Sequence, residues 1–310
     1  MKKRVLLSAS LNSIDDLTTQ TLIETLQACS DLVVVPPAEY DFNGNTLACY
    51  RYVSGQWQAL GRRTPCCDIW IIWIDGYALD HHALGFVDNL AWYFAAQQFF
   101  GKNLACGNVG VMYNPIQAER NTLKDFMTHL DSEKFHTIPS FVVQDFDHLS
   151  CLYRTYGPLV VKPFWGGLRH GISRVCTEEA LMALADQDLS NRVAQLFYSG
   201  PEKRLWIADG RCPQGGVHYG KNTPWSDFAP DYRAVPHDTL PADEVAADIR
   251  NAERMADEIG LRFGAVDFIG DRINEVNGSG TGYVMWNLAG EIVVDARPLL
   301  QAEILRLVAG

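Results

Sequence analysis

Two apolar runs joined by Gly270-Asp271 fill the stretch 265–277, and they carry Asp267, Glu275 and Asn277. A Gly-Asp step between two such runs is a hairpin signal. Glu275 and Asn277 stand two apart on one strand and so share a face, and Asp267 can sit opposite them on the other strand. Two carboxylates and a carboxamide converging there make the hard-oxygen environment that Mg2+ takes when phosphates complete its shell. The plain alternative at this spacing is a solvated hairpin with charges on its exposed face.

A second set of residues suits phosphate. Lys162 ends the apolar run 159–163, and Gly166, Gly167 and Gly171 follow before the next run opens at Ile172. Glycines let backbone N–H groups come close to phosphate oxygens, and Lys162 adds a positive charge beside them. A tight turn with a snorkelling lysine fits the same residues. Two other glycine patterns fail on context. Gly215 to Lys221 has P-loop spacing, but Asn222 replaces the metal-binding hydroxyl and Asn222-Thr223-Pro224 opens no helix. The glycines at 278, 280 and 282 lack the strand-helix-strand surroundings of a dinucleotide fingerprint. His81-His82 reads as a helix-surface pair, Asp15-Asp16 as the start of the first helix, and Trp70 and Trp73 as core residues. Arg169 and His170 fit either phosphate contact or solvent.

The elements that must position these groups are legible from periodicity. Short apolar runs at 5–8, 32–35, 69–74 and 109–113 read as strands, and 17–29 and 89–100 have helical spacing, so the first part is an α/β layer with a mainly parallel sheet. Asn114-Pro115 ends it. A small unit follows: a helix over 118–130, strands near 140–143, 159–163, 172–175 and 192–197, and a helix over 177–186. A third unit opens with a strand at 204–208 and contains an amphipathic helix over 241–259, strands at 264–269 and 272–276, and a closing helix near 299–307. The expected units are 1–115, 116–197 and 198–310, in an α/β (α+β) fold.

Composition bounds the function. A chain of 310 residues with 47% hydrophobic content can build several cores. The net charge of −11 comes with no basic block, which argues against a broad nucleic-acid surface. The apolar run 70–74 is too short to span a bilayer, and Ser8, Ser10 and Asn12 break up the N-terminal run, so neither a membrane segment nor an export signal is expected. Eight scattered cysteines without a C-x-x-C pair fit reduced, mostly buried thiols and a cytoplasmic location.

In order along the chain, these pieces resemble the ATP-grasp superfamily, and most closely its bacterial glutathione synthetase branch. The likeness runs over roughly 110–283 and rests on Asn114-Pro115 with Arg120, Asn121 and Lys124, on 160–163, on 193–195 with Glu202, Lys203 and Arg204, and above all on 260–277. The chain departs from the branch at 218–233 and 278–283, which line the acceptor side in that family, and at the loop 164–167. The resemblance therefore speaks more for ATP chemistry than for glutathione as product.

By position, the resemblance implies that Lys124 and Lys162 contact the phosphates, with Gly166 and Gly167 in a loop over them. Gln195, Leu196 and Phe197 would form the hinge at adenine, and Glu202 would bind ribose. Asp267, Glu275 and Asn277 would hold Mg2+, or Mn2+, and Arg204 would stabilise an acyl phosphate. Asp15, Lys221, Asn222, Arg233, Gly278, Ser279 and Gly280 are candidate substrate contacts. The implied activity is an ATP-dependent, ADP-forming ligase joining a small-molecule carboxylate donor to an amine acceptor, between two molecules or within one. A homo-oligomer is compatible with it. The rival readings are an ATP-binding regulatory protein with a degenerate site, and a phosphotransferase.

Overall fold

The computed structural model describes residues 2–12, 16–74, 86–164, 171–213, 217–219, 234–236, 241–286 and 291–310. Asp15, His81, His82, Gly166, Gly167, Arg169, His170, Lys221, Asn222 and Arg233 lie outside the described residues. The first stretch comprises β1 (Arg4–Ser8), α1 (Leu17–Cys29), β2 (Asp31–Val34), β3 (Tyr40–Asp41), β4 (Thr46–Val53), β5 (Gln56–Arg63), β6 (Cys67–Ile72), α2 (Phe86–Ala105) and β7 (Val109–Tyr113). Strands β2, β1, β6 and β7 are parallel, as their unbroken apolar runs require. An antiparallel arm of β3, β4 and β5 joins at β2. The β4–β5 hairpin is absent from the sequence reading. Its signal was present in Ser54-Gly55, both at positive φ (50° and 82°), as a two-residue hairpin turn demands.

The middle stretch holds α3 (Ile116–Asn121), α4 (Lys124–Met127), α5 (Ser132–Phe135), β8 (Ser140–Val142), α6 (Phe146–Tyr156), β9 (Leu159–Pro163), β10 (Ser173–Val175), α7 (Glu178–Met182) and β11 (Arg192–Leu196). The helix expected over 118–130 is thus broken. Thr122 caps α3 with its hydroxyl on the Glu119 carbonyl (2.8 Å), and Leu123 is extended. The break places Lys124 at the first position of α4, its N–H on the Phe164 carbonyl (3.1 Å) at the end of β9. Strands β10, β9, β11 and β8 form one antiparallel sheet in that order.

The last stretch contains β12 (Glu202–Ala208), β13 (Val217–Tyr219), β14 (Ala234–Pro236), α8 (Ala242–Ile259), β15 (Phe263–Ile269), β16 (Arg272–Asn277), β17 (Val284–Trp286), β18 (Ile292–Asp295) and α9 (Arg297–Ala309). A second antiparallel sheet runs β14-β13-β12-β15-β16. One face of it packs on α8, burying Leu205, Ile207, Val266, Phe268, Ala252 and Met255. Toward the N-terminal layer, Trp206 and Ala265 join Trp73, Tyr283 and residues of α1 and α9 in a shared core. The eight cysteines are unpaired, but only Cys49, Cys67 and Cys212 are buried, which corrects the expectation that most are. No described helix is long and apolar enough to cross a membrane.

Candidate functional site

Three strands align the charged groups. Arg204 on β12 stands opposite Asp267 on β15, and Asp267 stands opposite Glu275 on β16, so they form one row on one face of the sheet. The Arg204 guanidinium donates to both Asp267 oxygens (2.7 and 2.6 Å), a bidentate pair. Asn277 shares the face of Glu275 and donates its amide to Asp267 Oδ2 (2.9 Å). A bulge completes the row: Asp267 pairs with Glu275 while Phe268 pairs with Ile273, leaving Asn274 unopposed. Ile273 and Val276 keep to the α8 side, and the extra residue at 274 faces the β10-β9-β11-β8 sheet.

Lys162 reaches this row from β9. Its ammonium, on a side chain buried at 5% exposure, donates to Gln195 Oε1 (2.7 Å) and Asn274 Oδ1 (2.8 Å). Gln195 in turn donates to the Asn274 carbonyl (3.1 Å) and the Ser140 hydroxyl (3.3 Å). A neutral amide relay therefore holds the lysine and ties β9 and β11 to the bulge of β16. Lys124 approaches from α4, with Nζ 3.6 Å from Glu275 Oε2.

The electrostatics follow from this crowding. Burial lowers Lys162 to about 8, against the pull of Glu275 that raises it. Burial pushes Glu275 up, but Lys124, Lys162 and Arg204 together outweigh it and hold the carboxyl below its ordinary value. Glu275 thus stays anionic at neutral pH.

The donor set fits a divalent ion. No group of three His, Cys, Asp or Glu able to hold a metal occurs among the described residues. The row instead offers two carboxylates and a carboxamide, and oxygen donors of that kind suit Mg2+ or Mn2+ with phosphate as co-ligand. Asn277 turns its amide nitrogen toward Asp267, which directs its carbonyl oxygen away from that carboxylate.

The remaining candidates are spread more widely. Glu202 shares the site face of β12 with Arg204. The N–H groups of Leu196 and Phe197 bond to the carbonyls of Pro139 and Pro158 (both 2.9 Å), so what these two residues can offer a ligand is their carbonyls and side chains. Ser279 is fully buried: its hydroxyl accepts from Ile74 N (3.2 Å), and its N–H donates to Glu119 Oε1 (3.2 Å). Gly278 lies against Glu119, where a Cβ would fall 2.2 Å from Oε2. The stretch 217–219 that falls within the rejected P-loop spacing is strand β13.

Sequence reasoning missed Asn274, Glu119 and the role of Asn114. Asn114 Oδ1 accepts from the N–H groups of Arg262 and Phe263 (2.6 and 2.7 Å), and its amide donates to Glu119 (2.9 Å). Glu119 is buried, which raises its carboxyl to about 7 against the hydrogen bonds from Ser279 and Asn114. The Asn-Pro step was visible as a chain break; its contacts with residues near 262 and 279 were not.

Comparison with known proteins bears on the fold. No family model matches the chain. A glutathione synthetase from Anaplasma centrale is 24% identical over 147 residues, covering 45% of this chain and 47% of that protein, so the chain spans about half the length of the curated relative it matches. Among solved structures, the ATP-grasp ligase PsnB complexed with minimal precursor superimposes with a TM-score of 0.62 at 19% identity, covering 99% of each chain. The macrocyclase MdnC from Microcystis aeruginosa MRC, bound with precursor peptide MdnA, gives 0.61 at 14% identity with 99% of each chain covered. A RimK domain ATP-grasp protein from Sphaerobacter thermophilus gives 0.60 at 17%, with 96% of this chain and 98% of that one covered. The fold is that of the ATP-grasp ligases. One of the PsnB structures holds Mg and ADP.

Proposed function

We propose that this chain is an ATP-dependent, ADP-forming ligase that joins a carboxylate to an amine through an acyl phosphate. The observation that carries the reading is the convergence of Lys124, Lys162 and Arg204, from three separate elements, on the Asp267 and Glu275 row. Asp267, Glu275 and Asn277 would hold Mg2+ or Mn2+, which would neutralise charge on the triphosphate. Lys124 and Lys162 bring fixed positive charge to the transferring γ-phosphoryl group while the substrate carboxylate attacks it, and ADP leaves. Arg204 stabilises the acyl phosphate, the amine attacks its carbonyl carbon, and phosphate departs. Hinge residues 195–197 meet the base and Glu202 the ribose; the segment with Gly166 and Gly167 is assigned to the phosphates. Units 1–115, 116–197 and 198–310 would be an N-terminal α/β unit, a lid and a metal-holding catalytic unit.

A small-molecule carboxylate and amine are the first reading of the substrates. A peptide-borne carboxylate is the second, favoured by one observation: the PsnB and MdnC structures contain precursor peptides. The test is a screen of amino-acid pairs and short peptides with MgATP, following ADP, free phosphate and product mass together. A ligase gives ADP and phosphate in equal amounts and a product one water lighter than its substrates combined. A phosphorylated product without free phosphate would mean a phosphotransferase, and nucleotide binding without turnover would mean a regulatory protein.

A further inference from the structure

We infer that Arg174 forms a wall of the nucleotide's base site, its guanidinium stacking on the purine with the Phe197 ring behind it; this rests on the ATP reading above. Arg174 on β10 stands opposite Val160 on β9, and Val160 stands opposite Gln195 on β11. Alternation puts residues 160, 162, 174 and 195 on one face of the lid sheet, the face from which Lys162 reaches Asn274. Leu159, Val161, Val175 and Ala194 point the other way, into the lid's own core.

From its edge strand Arg174 folds back across β9. Its guanidinium carbon lies 4.5 Å from the centre of the Phe197 ring, and its Nε donates to Cys176 Sγ (3.0 Å). Among the described residues it has no carboxylate partner. An exposed arginine without an acidic partner gains most by reaching into water; this one is held over an aromatic ring. A planar cation fixed by a ring on one side offers its other side to a second planar π system, which a purine supplies and a phosphate does not.

Two further facts favour the base over the phosphates. Val160, in register with Arg174, is two residues from Lys162, so the arginine stands about 7 Å along the strand from the phosphate-binding lysine. The hinge N–H groups of Leu196 and Phe197 are both bonded within the protein, so this part of the lid can grip a base only through its carbonyls and by stacking, and Arg174 over Phe197 supplies the stacking.

Calorimetric titration with MgADP, together with competition by pyrophosphate as a probe without a base, tests the inference. Arg174→Ala is expected to weaken MgADP about tenfold and to leave pyrophosphate competition unchanged. Arg174→Lys recovers only part of the loss, because a compact ammonium cannot stack as a plane. Phe197→Leu weakens MgADP about threefold by removing the backing ring. Arg174→Gln, planar but uncharged, replaces the alanine variant if that variant melts early. Unchanged MgADP affinity in Arg174→Ala overturns the inference, and so does an equal loss with pyrophosphate, which would put the guanidinium at the phosphates. A wild-type protein that binds no MgADP would instead bring down the ATP reading itself.

Discussion

Strand β12 carries two cations in succession, and its two faces treat them differently. Lys203 points to the α8 side, where it is fully buried and donates to Asp248 (2.5 Å) and Glu244 (3.2 Å). Arg204 points to the site side, where 21% of its side chain stays exposed and it pairs with Asp267. Behind the sheet, burial raises Asp248 and the Lys203 hydrogen bond pulls back only part of that rise. The pair is enclosed, so losing either partner takes a close counter-charge away from the other inside the core. In front of the sheet, Glu275 feels three cations at once. On the function proposed above, such groups would change partners when a phosphate or a divalent ion arrives. The same chemistry is fully enclosed on one face and partly open to solvent on the other.

That contrast can be broken most sharply at Glu275. Glu275→Gln should lower turnover about 1,000-fold or more, equivalent to about 4 kcal/mol, while thermal melting stays close to wild type. It also removes the group that most raises Lys162, whose value then falls below about 8. Near-wild-type rates in a product assay would remove the metal role from this row.

Behind the sheet the expectation reverses. Lys203→Met should cost about 3–5 kcal/mol in denaturant unfolding, since it removes the ammonium that faces the buried Asp248 carboxylate at 2.5 Å. MgADP affinity of the folded fraction should be unchanged. Adding Asp248→Leu should restore most of the loss; if the double variant is as unstable as the single one, the ion pair is not what holds this face.

Glu119 sharpens the comparison at the seam between layers. Its folded value of about 7 lies above its ordinary value, so the folded chain binds the extra proton and stability falls as pH rises from about 4.5 to 7. Glu119→Gln should match wild type at low pH and exceed it by on the order of 2–3 kcal/mol above pH 7. Parallel stability curves for the two proteins would refute a buried, proton-holding Glu119.

The smallest effect is expected at Gly264, where a Cβ would fall 2.3 Å from the Asn277 carbonyl. Gly264→Ala should cost about 1–3 kcal/mol of stability and, by displacing Asn277, weaken Mn2+ binding as well. Loss of stability with intact metal affinity would show that the strand adjusts without moving the site.

How far the sequence reached differs by element. The hairpin 265–277 was legible because a Gly-Asp turn and period-two alternation fix which residues share a face. The same logic would send Asn274 to the side opposite Glu275, and the bulge overrules it. The parallel strands were legible as unbroken apolar runs, whereas the β4–β5 arm, half exposed and polar, was not. The helix expected over 118–130 broke at Thr122 and Leu123, where a side-chain cap won over apolar periodicity.

Taken alone, the order of residues determined the face that Asp267, Glu275 and Asn277 share and the glycine-flanked position of Lys162, because these depend on local spacing, whereas Lys124 and Arg204 were indicated only by the family resemblance. Only the tertiary structure decided that Lys124, Lys162 and Arg204 meet at one carboxylate, that Asn114 and Glu119 fasten the turn at Gly278, and that Arg174 lies over Phe197. Those contacts join residues far apart in the chain, and their energies come from burial and from charges brought together, which no local pattern encodes.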